Sequence, residues 1–358
     1  MSTTSPASDE PTRLANIIST MFAGQAGRSH RLSNGETVQL LVGADAQDDC
    51  AVFRMDGSQE IVLGSDYVRG SKFILYELGY LDDYDVGYYL AMANFSDIAA
   101  MGAQPIALLS VIRYPKTMPD EQFAQVLRGI NDACELVGAP NVGGDIGTAE
   151  RLILSASAMG VVESGGSLLR SGARPGDRLC VTGPTGIAAA AQKYFTKPHI
   201  ADGAISAAAE KVLLNSWRRP QALVGQGRCL STSGLATSCQ DSSDGLKAGI
   251  ESIAARSGVG FIVEEKALPV LDVVREVAEL SNIEVTSLIL GDSVDFQLIF
   301  TVPEEYLEEL KKIFEGHGYT FHDIGFATEL PDIVLRSSDG ATRELPGAAW
   351  RHANPDLP

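Results

Sequence analysis

The 358-residue chain carries 28 Lys and Arg against 46 Asp and Glu, a formal charge of −18 with histidine neutral. So acidic a surface repels phosphate backbones and anionic lipid, which argues against nucleic-acid binding and makes cations the expected escort of any phosphate-bearing substrate. A 45% hydrophobic share with 21% charged residues is that of a globular protein, and at about 100 to 200 residues per domain the length predicts two domains.

Residues 1–13, rich in Ser, Thr, Pro and acid, read as a disordered lead without a basic-then-apolar signal, followed by a short amphipathic helix over 14–22. No apolar run reaches the roughly 18 residues of a membrane span, so the expectation is a cytoplasmic protein with no membrane contact. Five cysteines (Cys50, Cys134, Cys180, Cys229 and Cys239) show neither CxxC pairs nor close histidine spacing, and read as reduced core residues.

Residues 24–49 look loop-rich, and strand-like runs follow at 51–55 and 60–65, separated by the turn signal Asp56-Gly57. Over 85–101 apolar residues recur at helical spacing up to a stop at Gly102, which puts Asn94 and Asp97 on one helical face. A strand at 106–112, a helix at 120–137, a strand ending at Gly143-Gly144-Asp145 and a run at 152–162 complete an alternating α/β unit. Turn-rich residues 164–166 and 172–177 mark a domain boundary, giving an N-terminal domain at 14–163 and a C-terminal domain at 170–345. The second half predicts a strand at 178–182, an alanine-rich helix at 186–194 and a flexible segment at 225–240. Asp241-Ser242-Ser243-Asp244-Gly245 then opens a helix with Leu246, Ile250, Ile253 and Ala254 on one side, and mixed α/β structure follows at 288–302, 304–314 and 333–336.

The aspartates fall at the ends of these elements or beside glycine: Asp48-Asp49, Ser65-Asp66, Asn94 with Asp97, Asp145, Asp241 with Ser243 and Asp244, and Asp292 with Asp295. Carboxylates so placed can converge on one cleft, and Mg²⁺ takes one or two carboxylates together with water and substrate phosphates. Taken singly, each is more often a turn or helix cap. The chain has no G-x-x-x-x-G-K-[ST] loop, the Gly183-Pro184-Thr185-Gly186 turn lacks both the lysine and the dinucleotide spacing, and no histidine completes a nucleophilic triad.

Three strings, Asn94-Phe95-Ser96-Asp97-Ile98-Ala99-Ala100-Met101-Gly102-Ala103, Leu169-Arg170-Ser171-Gly172-Ala173-Arg174-Pro175-Gly176-Asp177 and Asp241-Ser242-Ser243-Asp244-Gly245-Leu246, resemble thiamine-monophosphate kinase, a family of the aminoimidazole-ribonucleotide synthetase superfamily. Asp48-Asp49-Cys50-Ala51-Val52, Gly64-Ser65-Asp66, Gly143-Gly144-Asp145 and Val181-Thr182-Gly183 fit the same pattern, over residues 14–335. The resemblance implies a two-domain α/β fold whose N-terminal domains pair across a homodimer into a barrel-like sheet. It implies ATP and several Mg²⁺ ions, with Asp49, Ser65, Asp66, Asp97, Asp145, Asp241 and Asp244 as metal ligands and Gly144, Arg170 and Ser243 at the nucleotide. The expected activity is transfer of the γ-phosphoryl group of ATP to thiamine monophosphate or another small metabolite, a reaction that rests on positioning and charge neutralisation without a protein nucleophile.

Departures from the family pattern cluster on the acceptor side. Where the kinases read Gly-Gly-Glu-Asp-Tyr-Glu-Leu, this chain has Asp292-Ser293-Val294-Asp295-Phe296-Gln297-Leu298, and the family's Gly-x-His-Phe becomes Gly70-Ser71-Lys72-Phe73. Lys72, Asp295 and Trp350 are therefore the acceptor-side candidates, and a rebuilt pocket fits a changed acceptor. Two other readings stay open. One is an ATP-dependent synthetase, cyclase or dehydratase that activates an amide or carboxyl oxygen by phosphorylation; the other is a nucleotide-binding protein without catalysis.

Overall fold

The structure, a computed structural model, describes residues 20, 23–24, 26–33, 35–55, 57–68, 74–197 and 204–348. The expected disordered lead, nearly all of the expected helix at 14–22, and Lys72 and Trp350 lie outside the described residues.

The chain first lays down β1 (Ser29–Arg31), β2 (Thr37–Val42), β3 (Ala51–Met55), β4 (Gln59–Val68), α1 (Ile74–Glu77), α2 (Asp83–Ala100), β5 (Gln104–Tyr114), α3 (Asp120–Val137), β6 (Asn141–Thr148) and β7 (Ile153–Glu163). Among the described residues the seven strands form one sheet in the order β1-β2-β3-β4-β7-β5-β6, with β5 and β6 its parallel pair. Alternation along β7 sends Leu154, Ala156, Ala158 and Val162 inward. These residues are mostly small, so a helix can lie close on them: a Cβ at the inward Gly160 would stand 2.5 Å from Ile98 Cγ2.

That helix is α2, apolar on nearly every side and buried from Asp85 to Ser96, as a helix at the centre of a larger core must be. A capping box starts it. The Asp82 carboxylate accepts the Asp85 N–H at 2.8 Å and the Asp85 carboxylate returns the bond to the Asp82 N–H at 3.1 Å. Helix α3 crosses α2 at backbone contact, since a Cβ at Gly129 would lie 2.0 Å from the Tyr84 carbonyl oxygen and one at Gly87 2.1 Å from that of Val126.

The second half contains β8 (Arg178–Val181), α4 (Ile187–Thr196), α5 (Ala207–Arg218), α6 (Val224–Ser233), β9 (Ser238–Asp241), α7 (Leu246–Ser257), β10 (Gly260–Glu264), α8 (Asp272–Ser281), α9 (Val285–Leu290), β11 (Leu298–Val302), α10 (Leu307–Gly316), β12 (His322–Thr328), β13 (Ile333–Arg336) and β14 (Thr342–Glu344). Among the described residues its strands form a second sheet in the order β14-β13-β10-β12-β8-β11-β9. Alternate residues of β8 and β11 enter two different cores. Leu179, Val181 and Ile299 pack with Leu246, Ile250 and Ile253 of α7, whereas Cys180, Leu298 and Phe300 pack with Leu310 and Phe314 of α10. Helices on both faces explain why β11 is buried throughout.

The mixed α/β fold with two sheets agrees with the sequence, and all five cysteines are buried free thiols. Two local expectations are corrected. The segment at 225–240, expected as a flexible connection, holds α6 and β9, because Gly227 lets α6 press on the Ala99 carbonyl oxygen, 2.0 Å from where a Cβ would be. Tertiary contact overrides the weak helix propensity of its Gly, Ser and Thr residues. The loop-rich 24–49 stretch contains β1 and β2.

Candidate functional site

Three carboxylates from distant parts of the chain meet beside α2. Asp49 precedes β3, Asp97 occupies the last turn of α2 and Asp241 ends β9, and one oxygen from each lies within 4.8 Å of the others. Their immediate partners hold them in place. Ser96 Oγ donates to Asp241 Oδ2 at 2.5 Å, and the Ser243 hydroxyl donates to Oδ1 at 2.8 Å. The Arg170 guanidinium donates to Asp49 Oδ1 through Nε at 3.2 Å and also through Nη2, while its Nη1 donates to the Gln47 carbonyl at 3.1 Å. The Arg170 backbone N–H adds a bond to the Asp48 carboxylate at 3.2 Å, so one residue knits the whole 47–49 turn. Gln47 itself sits at φ 51°, a left-handed conformation unusual for a side-chain-bearing residue. Its side-chain oxygen accepts from Arg256.

Such crowding is unfavourable for charge. Burial pushes the Asp49 carboxyl up to about 7; Arg170 opposes the shift, and Asp241 and Asp48 add to it. Burial, followed by Asp241, Asp49 and Asp66, carries Asp97 well above the carboxylate range. Burial also raises Asp241, against the hydrogen bonds from Ser96 and Ser243. Asp49 Oδ2 is buried and accepts no hydrogen bond among the described residues. Three convergent carboxylates, one of them with an orphaned oxygen, are the donor set of a hard divalent cation, so the residues fit Mg²⁺.

The other sequence candidates fall around this centre or apart from it. The Asp66 N–H donates to Asn94 Oδ1 at 3.0 Å, which ties the β4 acid to α2, and Asp66 acts electrostatically on Asp97. Asp244 acts in the same way on Asp241. Ser65 Oγ is engaged in the sheet, donating to the Ala156 carbonyl at 2.9 Å. Asp145 stands apart on β6, its side chain 69% exposed and paired with Arg113 at 2.6 Å. Gly144 is required by the fold, because a Cβ there would lie 1.6 Å from the Ser110 carbonyl oxygen of the neighbouring strand. Asp295 accepts the amides of Gly186 at 2.5 Å, Ile187 at 3.1 Å and Ala188 at 3.0 Å. It therefore fills the N-terminus of α4, which would otherwise offer itself to an anion.

Comparison with known proteins decides the family. Residues 47–162 match the N-terminal domain of AIR synthase related protein, and residues 174–337 match its C-terminal domain. The thiamine-monophosphate kinase of Escherichia coli K12 is 32% identical over 328 residues, 91% of this chain and 94% of that one. That of Pyrococcus abyssi is 34% identical over 234 residues, 65% of this chain and 70% of that one. The chain belongs to the thiamine-monophosphate kinase family. Members of that family are ATP-dependent kinases, and this chain is one. Its fold is that of AaThiL complexed with AMPPCP and TMP, with a TM-score of 0.79 at 23% identity, covering 98% of this chain and 100% of that one.

In this thiamine-monophosphate kinase family member, the sequence alone leaves two residues of the centre without a role. Ser96 orients Asp241, and its place inside the Asn94–Asp97 string is the signal that could have singled it out. Asp48 anchors the Arg170 backbone.

Proposed function

We propose that the protein transfers the γ-phosphoryl group of ATP to thiamine monophosphate, with Mg²⁺ held at Asp49, Asp97 and Asp241 beside Asp66 and Asp244, and with Ser65 and Asp145, which lie apart from that cluster, as the candidates for further ions. The observation that carries this reading is the convergence of the three carboxylates with one oxygen left unpaired. Bound Mg²⁺ would supply neutralisation of the phosphate oxygens during transfer. The chain's own residues do the positioning. Arg170 fixes the direction of Asp49, Ser96 and Ser243 fix both oxygens of Asp241, and Asn94 fixes the β4 backbone at Asp66. Gly144, Arg170 and Ser243 remain the nucleotide-side candidates. Asp295 serves the acceptor side as a positioning residue, through α4.

A cavity of about 530 Å³ between α4 and α9 supports an acceptor seat. Lys193, Glu284 and Asp292 stand on its walls, and Asp292 is the residue that replaces the first glycine of the family's diglycine. Lys72 and Trp350 are the further acceptor-side candidates. On the first sheet Leu63, Ile106, Leu109, Val142, Ile146 and Ile153 are exposed, an apolar surface that fits burial in a homodimer. No helix among the described residues is long and apolar enough to cross a membrane.

Purified protein incubated with ATP, Mg²⁺ and thiamine monophosphate is expected to yield thiamine diphosphate and ADP, and to sediment as a dimer. Absence of the diphosphate would remove the named acceptor, and a sedimenting monomer would remove the dimer.

A further inference from the structure

Helix α4 sends Ala189, Gln192, Lys193 and Thr196 to one face, at spacings of three and four residues, and that face is one wall of the cavity between α4 and α9. Ile283, Glu284, Ser287 and Leu288 stand on the α9 side. The start of α4 meets the end of α9. A Cβ at Gly186 would lie 2.8 Å from the Leu288 carbonyl oxygen, Thr185 Oγ1 donates to the Ile289 carbonyl at 2.8 Å, and Ser293 Oγ accepts the Ala189 N–H at 3.0 Å. This junction also touches the loop that carries Asp244, since a Cβ at Gly245 would stand 2.1 Å from the Gly291 carbonyl oxygen. The cavity therefore has a near end at Asp292, beside the Asp241–Asp244 loop, and a far end at Lys193. Lys193 is six residues past Ile187, about 9 Å along the helix at ~1.5 Å per residue.

Charge is ordered along that axis. Asp292 stands at the near end, and Lys193 is the one basic residue on the wall among the described residues. It makes no hydrogen bond or ion pair among them. The Glu284 carboxylate is already taken by Arg343, which donates to it through Nη1 at 3.0 Å. Burial, and then Lys197 one turn on, lower the pKa of the Lys193 ammonium, with no carboxylate opposing them. A helix C-terminus favours a lysine in its last turn, but it does not require that lysine to stand on a cavity wall and lose water there. A ligand in the cavity would supply the missing acceptor.

The layout selects a molecule with a phosphate directed at the acid centre and its cations, a positive group near Asp292 and a hydrogen-bond acceptor at the far end. Thiamine monophosphate presents a phosphate, a thiazolium ring and the ring nitrogens of a pyrimidine in that order. The cavity volume of about 530 Å³ is in the ordinary range for a small-molecule site.

We propose that Lys193 is a specificity-determining residue for the acceptor, its ammonium donating to a pyrimidine ring nitrogen of thiamine monophosphate. The assignment rests on the reading above that thiamine monophosphate is the acceptor, and adds the direction in which it lies between α4 and α9.

The test saturates wild-type and Lys193→Met protein with Mg²⁺ and AMPPCP and titrates each by calorimetry with thiamine monophosphate and with thiazole phosphate, the phosphorylated half of the molecule without its pyrimidine. Affinity for thiamine monophosphate is expected to fall about 10-fold in the variant, as for loss of one charge-assisted hydrogen bond, while affinity for thiazole phosphate stays the same. Lys193→Met should melt at or above the wild-type temperature, because it removes a like charge from Lys197. Equal affinities of the two proteins for thiamine monophosphate would overturn the proposal. So would an equal loss with thiazole phosphate, which puts the ammonium on the phosphate, or a markedly lower melting temperature, which gives Lys193 a structural role. Wild-type protein that binds AMPPCP but not thiamine monophosphate would instead refute the parent reading, and the Lys193 assignment would fall with it.

Discussion

Asp97→Asn is expected to abolish most of the kinase activity while making the metal-free protein more stable. Asp97 is pushed well above the carboxylate range by burial and by Asp241, Asp49 and Asp66, so in the absence of a cation its charge works against folding. An amide of the same shape removes that repulsion, and for each kcal/mol relieved a domain of this size gains roughly 2–4 °C in Tm. The same change deletes a ligand for the cation that phosphoryl transfer needs. The expected loss in kcat is on the order of 10²- to 10³-fold, the range for removing one group that stabilises transition-state charge. Steady-state kinetics and thermal melts in chelator read the two effects. A variant that loses stability together with activity would show that Asp97 serves the core instead.

The second large effect is a linkage between pH and Mg²⁺. The folded-state pKa values of Asp49, Asp97 and Asp241 are raised, Asp49 to about 7 from an ordinary 3.8. Between those two values the folded protein binds more protons than the unfolded chain, so metal-free stability declines as pH rises through the window. His322, whose pKa burial lowers, pulls the other way, but it is one group against three. The metal-free protein should therefore melt at a higher temperature at pH 5.5 than at pH 8. Mg²⁺ must displace the protons held by the cluster, so its stabilising effect should be larger at pH 8. Melts at both pH values, with and without Mg²⁺, check this. A Mg²⁺ increment that is the same at both would contradict the coupling.

The sequence displayed some of this architecture directly and concealed the rest for identifiable reasons. Strand β3 and helix α3 fall at their expected boundaries because alternation or a 3.6-residue period runs through them without interruption. Asp49, Asp97 and Asp241 were legible as a set because each closes or opens an element, and chain ends of elements are where side chains can converge. Helix α6 was not legible. Its glycines are there for contact with Ala99 and with the Tyr319 hydroxyl, which lies 2.1 Å from a Cβ built at Gly225, and neither neighbour is close in sequence. Asp295 carried the signal of a site acid, yet its oxygens bind the amides of a helix more than a hundred residues earlier. Arg170 carries the signal of a nucleotide contact, and the fold also engages its guanidinium with Asp49 and Gln47, 121 and 123 residues away. In each case the residue type announced a polar role, and only the fold specifies the partner.

The most direct test of the metal centre is anomalous diffraction from crystals soaked with Mn²⁺ and AMPPCP. Peaks are expected between Asp49, Asp97 and Asp241, at about 2.0–2.2 Å from their oxygens, as hard octahedral cations require. Nucleotide bound in the crystal with no Mn²⁺ peak at those three carboxylates would contradict the account.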